Sequence, residues 1–200
     1  MPLKTKIKVG NISNLSEARY CAGMGVDMLG FKINEAEGRG ISLTKFKEIT
    51  DWISGPEFIL ELSEELTDQA QEKYKINLIE YPVSKISYLS LSKQPTDFII
   101  SLDVEDWKTY HKDLLEHRDQ IKYLLVTNLG GKDISKAKLI ISELAVDFSV
   151  LLAFDIQVNL LEEYLRWPIS GLALSGSEET SPGIKDYDHL SSILEKLEVD

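Results

Sequence analysis

Residues 171–186, GLALSGSEETSPGIKD, hold the arrangement best suited to chemistry. An apolar run of strand length, Gly171-Leu172-Ala173-Leu174, breaks into Ser175-Gly176-Ser177 and later Ser181-Pro182-Gly183. A helical pattern follows, with Leu190, Ile193, Leu194 and Leu197 on one face. A buried strand that passes through a Gly/Ser loop into a helix start can turn several backbone N–H groups towards one point. That cradle suits a phosphate, with Ser175, Gly176, Ser177 and Gly183 as its candidate residues. An ordinary strand-to-helix turn has the same outline, so the residue types must decide between the two.

A second set of residues could move protons. Asp103 and Asp155 each end or follow an apolar run, and Glu61 and Glu80 lie within two others. A carboxylate in a water-poor site works as general acid or base, whereas a solvated loop carboxylate does neither. Arg39, in EGRGIS, offers a guanidinium fork that matches a carboxylate, and Lys32 is a further cation. Cys21 falls within a helical pattern, where a small buried apolar role is the default. His111 and His117 are six residues apart, which places them on different faces of a helix rather than at metal-pair spacing. No metal site and no cofactor are expected.

Composition bounds the elements that must position these groups. The 200 residues are 43% hydrophobic, enough for a sizeable core, and residues 1–200 read as one domain. The net charge of −11 and the absence of a Lys/Arg-rich run argue against nucleic acid and anionic membranes as partners. A lone cysteine fits a reducing compartment, and MPLKTKIKVG lacks the apolar core of a signal peptide. No apolar run has transmembrane length, so a cytoplasmic protein is expected.

The chain alternates between strand-like and helix-like segments. Strands are expected at 7–10, 28–33, 57–62, 77–83, 97–102, 123–127, 149–154 and 171–174. Helices are expected at 15–24 with Asn14 as N-cap, and at 44–54, 64–75, 105–120, 134–145, 160–167 and after 186. Residues 86–92 are open between strand and short helix, because periodicity does not resolve short apolar runs. Trp52, Trp107 and Trp167 are expected to pack against the sheet. Eight strand-plus-helix units imply a parallel sheet closed as a (β/α)8 TIM barrel with a degenerate fourth helix. An open doubly wound sheet is the alternative. In a barrel, function collects at the C-terminal ends of the strands.

SGSEETSPGIKD resembles the eighth strand and loop of the phosphoribosylanthranilate isomerase family of tryptophan biosynthesis, approximately S-S-G-V-E-x-x-P-G-x-K-D. Ser175, Gly176, Glu178, Pro182, Gly183, Lys185 and Asp186 carry the likeness, with one extra residue before the proline. KVGNISNLSEA is similar to the family's opening K-I-C-G-I-T-N-L-E-D-A through Ile12, Asn14, Leu15 and Ala18. Gly25, Asp27, Leu29, Gly30 and Phe31 match A-G-A-D-A-L-G-F. The resemblance implies the barrel fold, a phosphorylated sugar as ligand, and Arg39 facing a substrate carboxylate.

It also implies an isomerisation in which a cysteine removes a sugar proton and an aspartate ending the sixth strand protonates the ring oxygen. Gapless alignment puts Gly10 at the cysteine and Asn11 at the following glycine, and the sixth strand offers Val126 or Thr127 for the aspartate. Where the family's seventh strand ends A-G-G-L, this chain has Phe154 and Asp155. A carboxylate there would repel a phosphate by roughly 3 kcal/mol at about 5 Å and an effective dielectric near 20. The expectation is therefore an isomerase-like barrel with isomerase activity absent or severely reduced and a weakened phosphosugar-binding mouth. The alternatives are a different reaction using Asp103 and Asp155, or a non-catalytic barrel that binds a partner protein.

Overall fold

The computed structural model describes residues 2–34, 39–63, 72–91, 96–128, 134–154, 156–176, 179–181, 184–185 and 187–199. Eight strands run parallel in chain order: β1 Lys6–Gly10, β2 Met28–Asn34, β3 Glu57–Leu62, β4 Leu78–Pro82, β5 Asp97–Asp103, β6 Ile121–Asn128, β7 Val150–Leu152 and β8 Gly171–Ser175. Each strand pairs with the next, and β8 pairs with β1 from Lys6↔Gly171 to Gly10↔Ser175, so the sheet has no open edge. The architecture is the expected (β/α)8 barrel.

Alternation along the strands divides the apolar residues into two cores. Ile7, Val9, Phe31, Leu60, Ile100 and Val126 point outwards and pack under the helices. Met28, Ile59, Leu78, Ile99, Tyr123, Leu125, Leu151 and Ala173 fill the barrel interior. The inward set on β1 is Lys6, Lys8 and Gly10, so this strand brings charge rather than apolar bulk to the axis.

The helices are α1 Leu15–Gly23, α2 Leu43–Thr50, α3 Trp107–Glu116, α4 Ile134–Leu144, α5 Leu161–Tyr164 and α6 Asp188–Leu197. Asn14 caps α1 as expected, its side chain accepting the Glu17 N–H at 2.9 Å. The buried Glu17 in turn accepts the Ser13 N–H at 3.1 Å. Ser42 caps α2 by accepting the Lys45 N–H at 3.2 Å.

The segment left open between strand and helix resolves as 3₁₀ structure over Val83–Leu91, kinked at Lys85. Val83, Ile86 and Leu89 are its buried positions, and a spacing of three is the 3₁₀ period. Most of the helix expected at 64–75 lies outside the described residues. The helix expected at 160–167 is shorter: a 3₁₀ turn, Val158–Leu160, followed by the four residues of α5. Trp52 departs from expectation, being 69% exposed with the Arg19 guanidinium 5.7 Å above its ring. Helix α2 ends at Thr50, so Trp52 sits on a turn and is not carried onto the packed face.

Candidate functional site

Lys8 is the centre of a charged cluster beneath the barrel mouth. It is 3% exposed, in the middle of β1. A buried ammonium without a partner is prohibitive, and β3 and β4, across the barrel interior, supply carboxylates. The Lys8 Nζ donates to Glu61 Oε1 of β3 at 2.5 Å and lies 2.8 Å from Glu80 Oε2 of β4. The other Glu61 oxygen accepts the backbone N–H of Asn11 at 3.0 Å. Asn11 has φ 56°, a left-handed conformation that asparagine tolerates better than most residues. That turn aims its N–H at Glu61.

Two glycines make room for this arrangement. A Cβ built on Gly10 or on Gly30 would overlap Glu61 Oε1. The carboxylate of Glu61 therefore occupies the space that a side chain at position 10 would need. The volume beside Gly10 is filled from β3.

Charge balance sets the protonation of the triad. Burial would lower the Lys8 pKa, but the Glu80 and Glu61 carboxylates overcome it and hold the ammonium above the ordinary lysine range. Burial pushes Glu80 above the ordinary carboxylate range; Lys8 opposes that rise and Glu61 adds to it. Two carboxylates facing one ammonium in a water-poor site favour retention of one proton between them.

The triad opens into a cavity of about 370 Å³. Asn11, Lys32, Glu61, Ser63, Glu80, Ser101 and Ser175 supply its polar lining, from the C-terminal ends of β1 to β5 and β8. A second cavity of about 380 Å³ shares Asn11 and Lys32 with it and extends to Ser42 and Lys45 at the start of α2. Arg39 opens a two-residue strand paired antiparallel to β2 at Asn34↔Arg39; its side chain lies outside the described residues.

The β7–β8 side of the mouth differs. A cavity of about 220 Å³ is lined by Ala153, Phe154, Ile156, Leu174, Ser175 and His189 among others, and is largely apolar. Phe154 packs on Tyr164 and Trp167, with ring centroids 5.4 and 6.5 Å away. The Gly176 N–H is donated to the Gly10 carbonyl at 2.7 Å. Ser175 Oγ donates to the Gly176 carbonyl at 3.1 Å. A Cβ on Gly176 would come within 2.6 Å of Glu17 Oε1, so the glycine is required by close approach to α1. Asp155, Ser177 and Gly183 lie outside the described residues.

On β6 the alternation separates the two candidate positions. Val126 is buried under the helices, and Thr127 is exposed at the strand end. Thr127 Oγ1 donates to Asp103 Oδ1 at 2.6 Å, so Asp103 joins β5 to β6 and is not among the residues that line the charged cavity. Cys21 is buried in α1. His117 contacts Ser90 at 2.9 Å and His111 packs on Trp107. Among the described residues no group of three or more His, Cys, Asp or Glu is placed to hold a metal, and no helix is long and apolar enough to cross a membrane.

Sequence reasoning found Glu61 and Glu80 singly and missed Lys8, which unites them. The missing signal was legible: in a barrel both faces of a strand are buried, so a lysine flanked by Ile7 and Val9 must find carboxylates inside the barrel.

No family model matches the sequence, and neither does any curated protein. Solved structures do match. A phosphoribosylanthranilate isomerase from Thermotoga maritima superposes with a TM-score of 0.76 at 16% identity, covering 96% of this chain and 98% of that one. An N-(5'-phosphoribosyl)anthranilate isomerase from Pyrococcus furiosus gives 0.69 at 18% identity with the same coverage. A third, phosphoribosylanthranilate isomerase in complex with reduced 1-(o-carboxyphenylamino)-1-deoxyribulose 5-phosphate, gives 0.73 at 16% identity, again over 96% and 98%. At these identities the likeness establishes the fold.

Proposed function

We propose that the chain is a divergent member of the phosphoribosylanthranilate isomerase family whose isomerase activity is absent or severely reduced, and whose mouth holds a phosphorylated small molecule weakly. The observation that carries this reading is the Glu61 carboxylate in the space beside Gly10. The family's base is missing from the sequence, and its volume is already taken. Loss of a general acid or base costs about 10²- to 10⁴-fold in rate for each role, and Val126 or Thr127 stands where the acid belongs.

Weak phosphate binding is supported by the engaged Gly176 amide, by the apolar lining beside Phe154, and by a carboxylate at Asp155 in the sequence. Ser175, Ser177, Gly183 and the Gly176 loop remain the proposed phosphate contacts, and Arg39 the proposed contact for a substrate carboxylate.

The test is complementation of a strain lacking the isomerase, together with calorimetric titration of the purified protein with carboxyphenylamino-deoxyribulose phosphate. The expected results are no growth without tryptophan and a Kd weaker than about 100 μM, which corresponds to about 5.5 kcal/mol. Restored growth would overturn the loss of activity, and a Kd well below that mark would overturn the weakened mouth.

A further inference from the structure

We propose that Lys8, Glu61 and Glu80 form a proton-transfer site that isomerises a small anionic α-hydroxy aldehyde or ketone through an enediol. The inference rests on the triad's geometry and goes beyond the family reading, since neither of the family's catalytic positions takes part.

Several observations converge on it. The triad joins β1, β3 and β4 across the barrel interior, and two glycines leave the room it needs. Both carboxylates line the 370 Å³ cavity, so they are accessible from the mouth while Lys8 beneath them is closed off. A cavity of this size lies at the small end for metabolite sites. Lys8 beneath the two carboxylates and Lys32 at the rim put two basic side chains beside the cavity, which suits an anionic substrate. Lys32 is exposed at the rim, where it can hold a phosphate or carboxylate. Ser63 and Ser101 offer hydroxyls to a polyhydroxylated chain. Lys8 is not the nucleophile: two carboxylates keep it an ammonium.

The step balances without any further reactant. Glu61 takes the proton from the carbinol carbon beside the carbonyl. The electron pair of that C–H bond becomes the carbon–carbon double bond, and the carbonyl oxygen receives the Glu80 proton. From the enediol, Glu80 takes the proton of the neighbouring hydroxyl, which becomes the new carbonyl, and Glu61 returns its proton to the other carbon. Lys8 stays protonated throughout and steadies whichever carboxylate is ionised.

The experiment is solvent exchange followed by proton NMR in D2O. One arm uses dihydroxyacetone phosphate and ribulose 5-phosphate; the other uses hydroxypyruvate, so that phosphate and carboxylate anions are distinguished. The expected result is carbinol-proton exchange at least about 10²-fold above the protein-free control in one arm. Glu61→Gln returns it to background. Glu80→Gln lowers it and removes the alkaline limb of the pH profile, and Lys32→Met raises KM more than it lowers kcat. Circular dichroism of each variant establishes that it is folded. Exchange no faster than the control in both arms overturns the proposal, as does exchange unchanged in folded Glu61→Gln. Complementation reads the family activity alone, so either reading can fail without the other.

Discussion

The two halves of the barrel mouth are built on opposite principles. Between β1 and β4 two glutamates face one polar cavity over a buried lysine, and Gly10 and Gly30 leave room for them. Between β6 and β8 the corresponding positions are apolar or already satisfied: Val126 is under the helices, Phe154 joins Tyr164 and Trp167, and the Gly176 amide is bonded to Gly10. The sequence likeness touches both halves, at β1 to β2 and at the loop after β8. The chemically equipped half is the first. Buried charge and apolar packing thus lie on different sides of one barrel.

Removing the charge that organises the first half should have the largest effect. Lys8→Met leaves two buried carboxylates facing each other, and loss of one partner from a buried ion pair costs about 3–5 kcal/mol. Chemical denaturation should show that loss. Lys8→Met placed in a Glu61→Gln, Glu80→Gln background should cost much less, since no uncompensated charge remains. Equal costs in the two backgrounds would mean that Lys8 contributes packing and not charge.

A smaller effect is expected from filling the space that Glu61 uses. Gly30→Ala should destabilise by about 1–3 kcal/mol, the usual range for overpacking. Its Cβ would meet both the Glu61 carboxylate and the Gly10 backbone. Gly10→Ala meets only side-chain atoms of Glu61 and Lys8 and should cost less. The reverse order in thermal melts would place Glu61 elsewhere.

The smallest effect is a slope. Glu80 has its pKa raised in the folded protein above the ordinary 4.5, so its contribution is fully present below that pH and is lost as pH rises through the folded value. Stability should therefore fall with rising pH over that window, by at most about 1.4 kcal/mol per pH unit for one proton. Lys8 does not interfere, because its own contribution is lost only above pH 10.5. Glu80→Gln should flatten the slope in the denaturation midpoint measured against pH. An unchanged slope would assign it to other carboxylates.

The barrel was legible because its signal is repeated: eight apolar strand patterns separated by helical ones leave little choice of topology. The 3₁₀ segment after β4 was not, since Val83, Ile86 and Leu89 follow a period of three that neither strand nor α-helix templates test. Asn11 suits its position for a local reason. Its φ is positive, and asparagine is one of the few residues other than glycine at ease there. At the site, Glu61 and Glu80 stood out only as two of several carboxylates, because their meaning comes from Lys8, more than fifty residues away in sequence from Glu61. Contacts of that range depend on barrel closure and register. Asp103, named on the same grounds, accepts the Thr127 hydroxyl.

The most direct measurement is carbon NMR titration of protein labelled at the glutamate carboxyls, comparing wild type with Glu80→Gln. One resonance should titrate above the ordinary carboxylate range and vanish in the variant, as a proton held between two glutamates over a buried lysine requires. If every glutamate titrates in the ordinary range, the charged half of the mouth holds no such proton, and the acid–base role assigned to it is wrong.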